Sequence, residues 1–503
     1  MKAIMVVGTT SHAGKSFLAT AICRILSRRG WHVTPFKGQN MALNAYVTAT
    51  GGEIGFAQAV QAWAARTAPR IEMNPILLKP QGNMTSQVII RGKAAGTTTA
   101  SQYYEQYFEK GWQAITASLT RLATEFDFVV CEGAGSPAEI NLKHRDLTNM
   151  RVATYLEAPT LLVVDIDRGG AFAHVVGTLA LLEPEERDLI KGIAINKFRG
   201  QRSLLESGIS WLEDYTGIPV IGVIPWSETA FPAEDSLSLL EHKPHKAHSE
   251  IKISVLRLPH IANFTDFDPL EAESTVALNY LNLQDSLGYP DAVIIPGSKT
   301  TIDDSIALHK SGMAAKLKDY VAAGGTVLGI CGGFQMLGQQ VIDPDRLEGE
   351  TQQYPGLSLF PLKTIILAEK IARQRQVFSN YPQAGLPVSG YEIHQGWTRF
   401  VDSASKQALS IYKPMFDDPN LGLVNDSQSV WGCYLHGLFD NGAWRRSWLN
   451  GLRQRRGLSS LPTGIANYRD QREAMLDSLA DLVEEHLDLT PVLPEMSALG
   501  KCS

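Results

Sequence analysis

At 503 residues, 44% apolar and 19% charged, the chain exceeds one ordinary core of about 150 residues and reads as a globular protein of about two to four domains, two of them large. A net charge of −6 without any Lys/Arg-rich run argues against nucleic acid as a partner. The start, MKAIMVVG, lacks a basic segment and a cleavage site, no apolar stretch is long enough to span a bilayer, and the five scattered cysteines include no CxxC pair. A soluble, cytoplasmic protein is expected, with no membrane partner, disulfide framework or zinc site.

Residues 4–7 form a short buried strand, residues 8–16 spell GTTSHAGKS, and residues 17–28 carry apolar side chains at helical spacing. In such a strand–loop–helix unit the backbone of Gly8, Thr9, Thr10, Ser11, His12, Ala13 and Gly14 wraps the phosphates of ATP. Lys15 then reaches the β- and γ-phosphates, and the Ser16 hydroxyl meets Mg2+. Five residues rather than four separate Gly8 from Gly14, a spacing that resembles the dethiobiotin-synthetase type of P-loop.

A strand over 31–36 leads into PFKGQNMALNA. Residues 51–65, GGEIGFAQAVQAWAA, open like a helix with Glu53 near its start, where a carboxylate either complements the helix dipole or serves as a Mg2+ or active-site ligand. NPILLKPQGNMTSQVIIRGK then places Lys79, Gln81, Asn83 and Ser86 on loop-like backbone before a strand, as grips for a substrate carboxylate or as plain loop polarity. Residues 126–132, FDFVVCE, read as a buried strand ending in an acid, followed by flexible GAGSPAEINL. Glu132 is the metal candidate that would face Ser16 across the P-loop; a solvated strand-end acid is the other reading. Strands at 160–165, 192–196 and 219–224 alternate with helices, which gives a doubly wound parallel sheet with ligands at its C-terminal strand ends. Asn196 at one such end reads a nucleobase or shapes a turn, and Asp165, Asp167 and Arg168 border the same crevice.

EHKPHKAHSE, residues 241–250, is polar and contains proline; it reads as a linker between a domain at 1–240 and one at 251–457, and its histidines as solvated. IKISVLRLP begins a new sheet, and DAVIIPGSKTT runs from a strand into a tight turn at Gly297 and Ser298. In TVLGICGGFQM a strand stops at Cys331, two glycines permit a sharp elbow, and a helix follows over 334–341. The helix N-terminus behind Cys331 favours a negatively charged sulfur, which makes it a candidate nucleophile. Backbone N–H groups at Gly332, Gly297 and Ser298 are candidates for its oxyanion hole. SVWGCYLHG delivers His436 at a strand end as general base and acid. Leu438 stands two residues beyond, where many such enzymes carry glutamate, so no third triad member is visible. Glu392 and His394 in GYEIHQG are candidates for orienting His436 or touching substrate. The tail, 458–503, carries a helix over 465–487 whose acids suit packing rather than a membrane surface.

Through GTTSHAGKS, PFKGQNM, NPILLKPQGN, CEGAGSPAEINL, VVDIDRGG, INKFRG, IIPGSK, GICGGFQMLG, GYEIHQG and YLHGLF the chain resembles the cobyric acid synthase family, glutamine-dependent amidases of cobalamin biosynthesis, over nearly its whole length. The resemblance implies an N-terminal P-loop α/β domain of the dethiobiotin-synthetase kind, a C-terminal class I glutamine amidotransferase-like α/β domain, and ATP and Mg2+ as cofactors. It also implies that Cys331 attacks glutamine, that His436 shuttles protons, and that ammonia passes to the P-loop site. There ATP activates the b, d, e and g carboxylates of adenosylcobyrinic acid a,c-diamide. The resembled family works with a Cys/His pair. Two alternatives stand beside this. One is a P-loop scaffold or partitioning ATPase with an inert amidotransferase-like domain, against which speak the intact Cys331 and His436 and the lack of lysine at positions 9–13. The other is amidation of a different polycarboxylate such as cobyrinic acid. Nothing in the sequence selects an oligomeric state.

Overall fold

The computed structural model describes residues 1–82, 84–227, 246, 249–401 and 410–493. The expected linker lies outside the described residues apart from 246, 249 and 250, and so do Asn83 and Cys502.

Near-continuous apolar runs such as KAIMVVG and FVVCE suit strands covered on both faces, and they form a six-stranded, all-parallel sheet. Its order is Val220–Pro225, Ile190–Phe198, Thr160–Asp165, Lys2–Gly8, Phe128–Glu132, Val33–Phe36. Alternation along the central strand divides the core: Ile4 and Val6 face the helices Lys15–Arg28, Phe56–Ala64 and Tyr468–His486, while Met5 and Val7 face Ala100–Leu122, Met150–Leu156 and Ala171–Leu181. The P-loop leaves the carboxyl end of this central strand, where later strands have been laid down on both sides.

Two stretches depart from the sequence reading. Lys79 and Gln81 lie within the strand Ile76–Gly82 and Ser86 within Thr85–Ile90, an antiparallel pair in a separate four-stranded sheet. The β-prone runs ILL and VII carry the pairing through residues that polarity alone suggested were loop. Glu53 is likewise in a short strand, Glu53–Gly55, and the helix begins only at Phe56.

The second half is built on a seven-stranded sheet: Val276–Asn282, Ile251–Arg257, Ala292–Ile295, Val327–Ile330, Val430–Cys433, Gly422–Asn425, Tyr412–Pro414. The first five run parallel, Gly422–Asn425 runs against them, and Tyr412–Pro414 pairs antiparallel with Gly422–Asn425. A second sheet holds the long hairpin Leu362–Phe378 and Pro387–Phe400. The stretch SVWGCYLHG is split between the two: Val430–Cys433 belongs to the main sheet, and Leu435–His436 turns away to pair with the hairpin, His436 opposite Tyr391. The helix after Cys331 spans only Gly332–Met336; the chain turns at Gly338 and Gln340–Ile342 is a strand, not the end of a longer helix.

The tail helix Tyr468–His486 returns to the first domain. Arg24, 2% exposed, pairs with Glu473 at 2.9 Å and Asp477 at 2.8 Å, and Arg28 and Arg29 pair with Asp481 and Glu484 further along. No helix among the described residues is long and apolar enough to cross a membrane.

Candidate active sites

At the P-loop, Gly14 adopts φ 105°, and a Cβ there would lie 2.0 Å from Asn196 Nδ2, so only glycine fits. The same Asn196 amide donates to the Ala13 carbonyl at 2.9 Å; the structure uses it to brace the loop. Lys15 Nζ reaches the carbonyls of Thr10 at 3.0 Å and Gly135 at 2.8 Å, which folds it over the loop mouth. Ser16 Oγ donates to Glu132 Oε1 at 2.7 Å, Lys37 Nζ meets the same oxygen at 2.9 Å, and Gln61 Nε2 donates to Oε2. Ser16 and Glu132 are therefore brought together, a hydroxyl and a carboxylate of the kind that Mg2+ takes when water and substrate phosphates complete its octahedron. Glu53 is not brought to them. Its two oxygens are held by Lys79 at 2.8 Å and Lys370 at 2.6 Å, which leaves it an ion-pair partner instead of the metal ligand suggested by a helix-start position. Asp165 is taken by Lys197 at 2.8 Å and Asp167 by Arg199 at 3.3 Å.

In the second site Cys331 sits at φ 52°, ψ −110°, backbone that a side chain rarely adopts and that turns the thiol out of the sheet. The glycines beside it are required by contact: a Cβ on Gly333 would lie 2.0 Å from Ile295 O, and one on Gly332 2.9 Å from Ser298 N. The elbow is thereby pressed onto the Gly297–Ser298 turn, so the expected oxyanion donors are adjacent. That turn is held in place by buried Asp304, which accepts from Ser298 Oγ at 2.6 Å and faces His260 Nδ1 at 2.8 Å.

His436 is 1% exposed and lines one cavity of about 50 Å³ with Cys331, Gly297 and Ser298. Its Nε2 has no hydrogen-bond partner among the described residues, and its Nδ1 lies 2.6 Å from Asp266 Oδ2. Asp266 Oδ1 accepts from the Gly437 N–H at 2.9 Å, which fixes the carboxylate. Burial opposes charge on the imidazole, but the Asp266 carboxylate more than offsets it and the Cys331 sulfur adds to it, so the His436 pKa is pushed up to about 10. His436 therefore has a buried acid partner, Asp266, which the sequence does not announce.

The two sequence candidates for that role do other things. Glu392 pairs with Arg373 and Arg375, and His394 stacks on Tyr434 at 3.7 Å in the cavity wall. Asp266 carries no motif: it lies 170 residues before His436, in NFTDFDPL, and its one signal is an acid set between the buried Phe264 and Phe267.

The first domain completes the second site. Asn44 Oδ1 accepts from Phe264 N at 3.1 Å, Asn263 Oδ1 accepts from Ala45 N at 2.9 Å, and Tyr391 OH donates to Ala45 O at 3.1 Å. Thus ALNA, of the first domain, grips the loop that carries Asp266. The far wall of the Cys331 cavity holds Lys79, Lys299, Lys370 and Glu348. Burial raises the Glu348 carboxyl to about 7 against the pull of Lys299, and burial lowers Lys299 to about 8.

Residues 4–239 match the model of the CobQ/CobB/MinD/ParA nucleotide binding domain, and residues 252–444 that of the CobB/CobQ-like glutamine amidotransferase domain. The chain is similar to cobyric acid synthases of three organisms. It is 74% identical to that of Rippkaea orientalis over 98% of this chain and 100% of the relative. It is 74% identical to that of Crocosphaera subtropica over 98% and 100%, and 73% identical to that of Gloeothece citriformis over 99% and 100%.

Proposed function

This chain belongs to the cobyric acid synthase family, amidating enzymes of cobalamin biosynthesis, and from that premise we propose how its two sites divide the reaction. The sulfur of Cys331 attacks the side-chain carboxamide carbon of glutamine, and the oxygen that gains charge is held by backbone N–H groups at Gly332 and the Gly297–Ser298 turn. His436, kept protonated by Asp266, gives its proton to the departing nitrogen. The neutral imidazole then takes a proton from water, which attacks the thioester and releases glutamate. Buried Glu348 in the cavity wall suits the α-ammonium group of glutamine.

At the P-loop the γ-phosphoryl group of ATP moves to an oxygen of a corrinoid carboxylate, because a carboxylate alone has no adequate leaving group. Ammonia attacks the activated carbon, the amide forms and phosphate departs. Ser16 and Glu132 would hold Mg2+, which neutralises phosphate charge. Lys15 is placed to follow the transferring group, and Lys37 neutralises Glu132 until the metal and nucleotide arrive. The substrates under this reading are the b, d, e and g carboxylates of adenosylcobyrinic acid a,c-diamide.

The observation that carries the reading is that Cys331 shares a cavity with a His436 held by Asp266, in the same chain as a P-loop whose serine touches a buried acid. The test is incubation with ATP, Mg2+, glutamine and adenosylcobyrinic acid a,c-diamide, and in parallel with cobyrinic acid, with amides counted by mass. Amidation of the diamide supports the reading; no amidated corrinoid with either glutamine or ammonium as donor sinks it.

A further inference from the structure

The Cys331 cavity is closed toward the first domain by an ion bridge that neither half-reaction uses. Lys79 and Lys370 both line the cavity, one from each domain, and both end on Glu53, which is 2% exposed. The strand carrying Lys370 breaks its pairing between Ile365 and Lys370, which lets this residue reach across. Burial disfavours charge on Glu53, yet the two lysines hold its pKa down to about 2, so the carboxylate stays charged; burial lowers Lys79 to about 8 against the pull of Glu53, which leaves the bridge paired at neutral pH.

Behind Glu53 the chain passes Gly55, where a Cβ would lie 2.6 Å from both Asn40 Nδ2 and Gln58 Oε1. Gln58 and Gln61 follow on successive turns of the helix Phe56–Ala64. Asn40 Nδ2 donates to Gln58 Oε1 at 2.9 Å, and Gln61 Nε2 ends on Glu132 at the P-loop site. Both glutamines are fully buried, yet Gln58 Nε2 and Gln61 Oε1 have no hydrogen-bond partner among the described residues. An unpaired donor and an unpaired acceptor in a closed interior are each costly unless a small polar molecule visits them. Ammonia both donates and accepts, is neutral, and has to travel between these two sites.

We propose that the Lys79–Glu53–Lys370 bridge is the door by which ammonia leaves the Cys331 cavity, and that Gln58 and Gln61 hand it on to Glu132. This rests on the two-site reading above. Two ammonium groups at the door repel NH4+ and let NH3 pass, so nitrogen arrives at the activated carboxylate as a nucleophile. Opening needs one lysine to swing off Glu53; no bond is made or broken.

The experiment feeds the full-length enzyme glutamine labelled with 15N in its amide, together with unlabelled ammonium, ATP, Mg2+ and the corrinoid. It reads 15N in the product and glutamate formed per amide. Wild-type enzyme should place glutamine nitrogen in the product and make one glutamate per amide. Glu53→Gln and Lys370→Met should dilute the label and raise glutamate per amide by about threefold or more, since nitrogen that escapes loses its high effective concentration. Synthesis from ammonium alone should stay within about twofold of wild type, which also reports folding. If Glu53→Gln does not fold, Lys370→Met decides, its side chain being 13% exposed. Undiluted label and an unchanged ratio overturn the door. So does a parallel fall of ammonium-driven synthesis, which would make Glu53 part of the synthase chemistry. Wild-type enzyme that forms no amide from either donor overturns the two-site reading itself, and the door with it.

Discussion

Asp266 raises the pKa of His436, and under the proposed glutaminase chemistry it thereby supplies the proton for departing ammonia. Asp266→Asn leaves a buried imidazole without its carboxylate; burial then opposes its charge with only the Cys331 sulfur favouring it, so the His436 pKa falls. Glutaminase activity should drop about 10²- to 10⁴-fold, and the alkaline limb of its pH profile should move to lower pH; an unshifted limb would contradict the role given to Asp266. Because the folded-state pKa stands near 10 against an ordinary 6.5, the His436–Asp266 attraction stabilises the fold fully below about pH 6.5 and is lost as pH rises through about 10. Cys331, His436, Lys15, Ser16 and Glu132 stand at strand ends or in loops whose neighbours single them out in the sequence, and the structure brings Ser16 to Glu132 and places Cys331 and His436 on one cavity. Asp266 is not singled out there, since its contact with His436 spans 170 residues, and local sequence does not show that Glu53 will meet two lysines.

Among elements, the elbow around Cys331 is the least tolerant. Gly333→Ala would put a methyl group 2.0 Å from Ile295 O. Overpacking of this kind costs about 1–3 kcal/mol, so glutaminase should fall about tenfold or more while ammonium-driven synthesis persists; equal loss of both would mean that the elbow supports the whole fold. The tail helix makes a second prediction. Arg24→Ala removes a buried side chain as well as its pairs with half-exposed acids and should lower stability in urea unfolding by about 1–3 kcal/mol. Arg28→Ala, whose partner Asp481 is 62% exposed, should cost about 0–1 kcal/mol. Equal costs would show that burial of Arg24 is not what matters. Strands of the parallel sheet were readable because burial on both faces leaves unbroken apolar runs, as in residues 160–165. The hairpin at Lys79 was not, because its strand passes from three apolar residues straight into the run Lys-Pro-Gln-Gly, which reads as loop, and the short helix after Cys331 was overextended because Leu337 and Val341 continue the helical period after the backbone has turned.

Over the whole molecule, the two α/β units meet where chemistry requires it. Asn44 and Ala45 hold the loop that carries Asp266, Tyr391 stacks on His436 and bonds back to Ala45, and Lys79 enters the Cys331 cavity from the other domain. The order of strand, loop and helix disclosed both units in the sequence, and the motifs disclosed the family. Which faces would meet was written nowhere locally, because it depends on side chains such as Asn44 and Asn263 whose partners lie in the other unit. The division of labour to be tested is that one site makes ammonia and the other consumes it. The direct measurement is amide formation on the corrinoid by Cys331→Ala, with glutamine or with ammonium as donor, beside Lys15→Ala. The account predicts that Cys331→Ala is inactive with glutamine and near wild type with ammonium, and that Lys15→Ala is inactive with both. Loss of ammonium-driven synthesis in Cys331→Ala would contradict it.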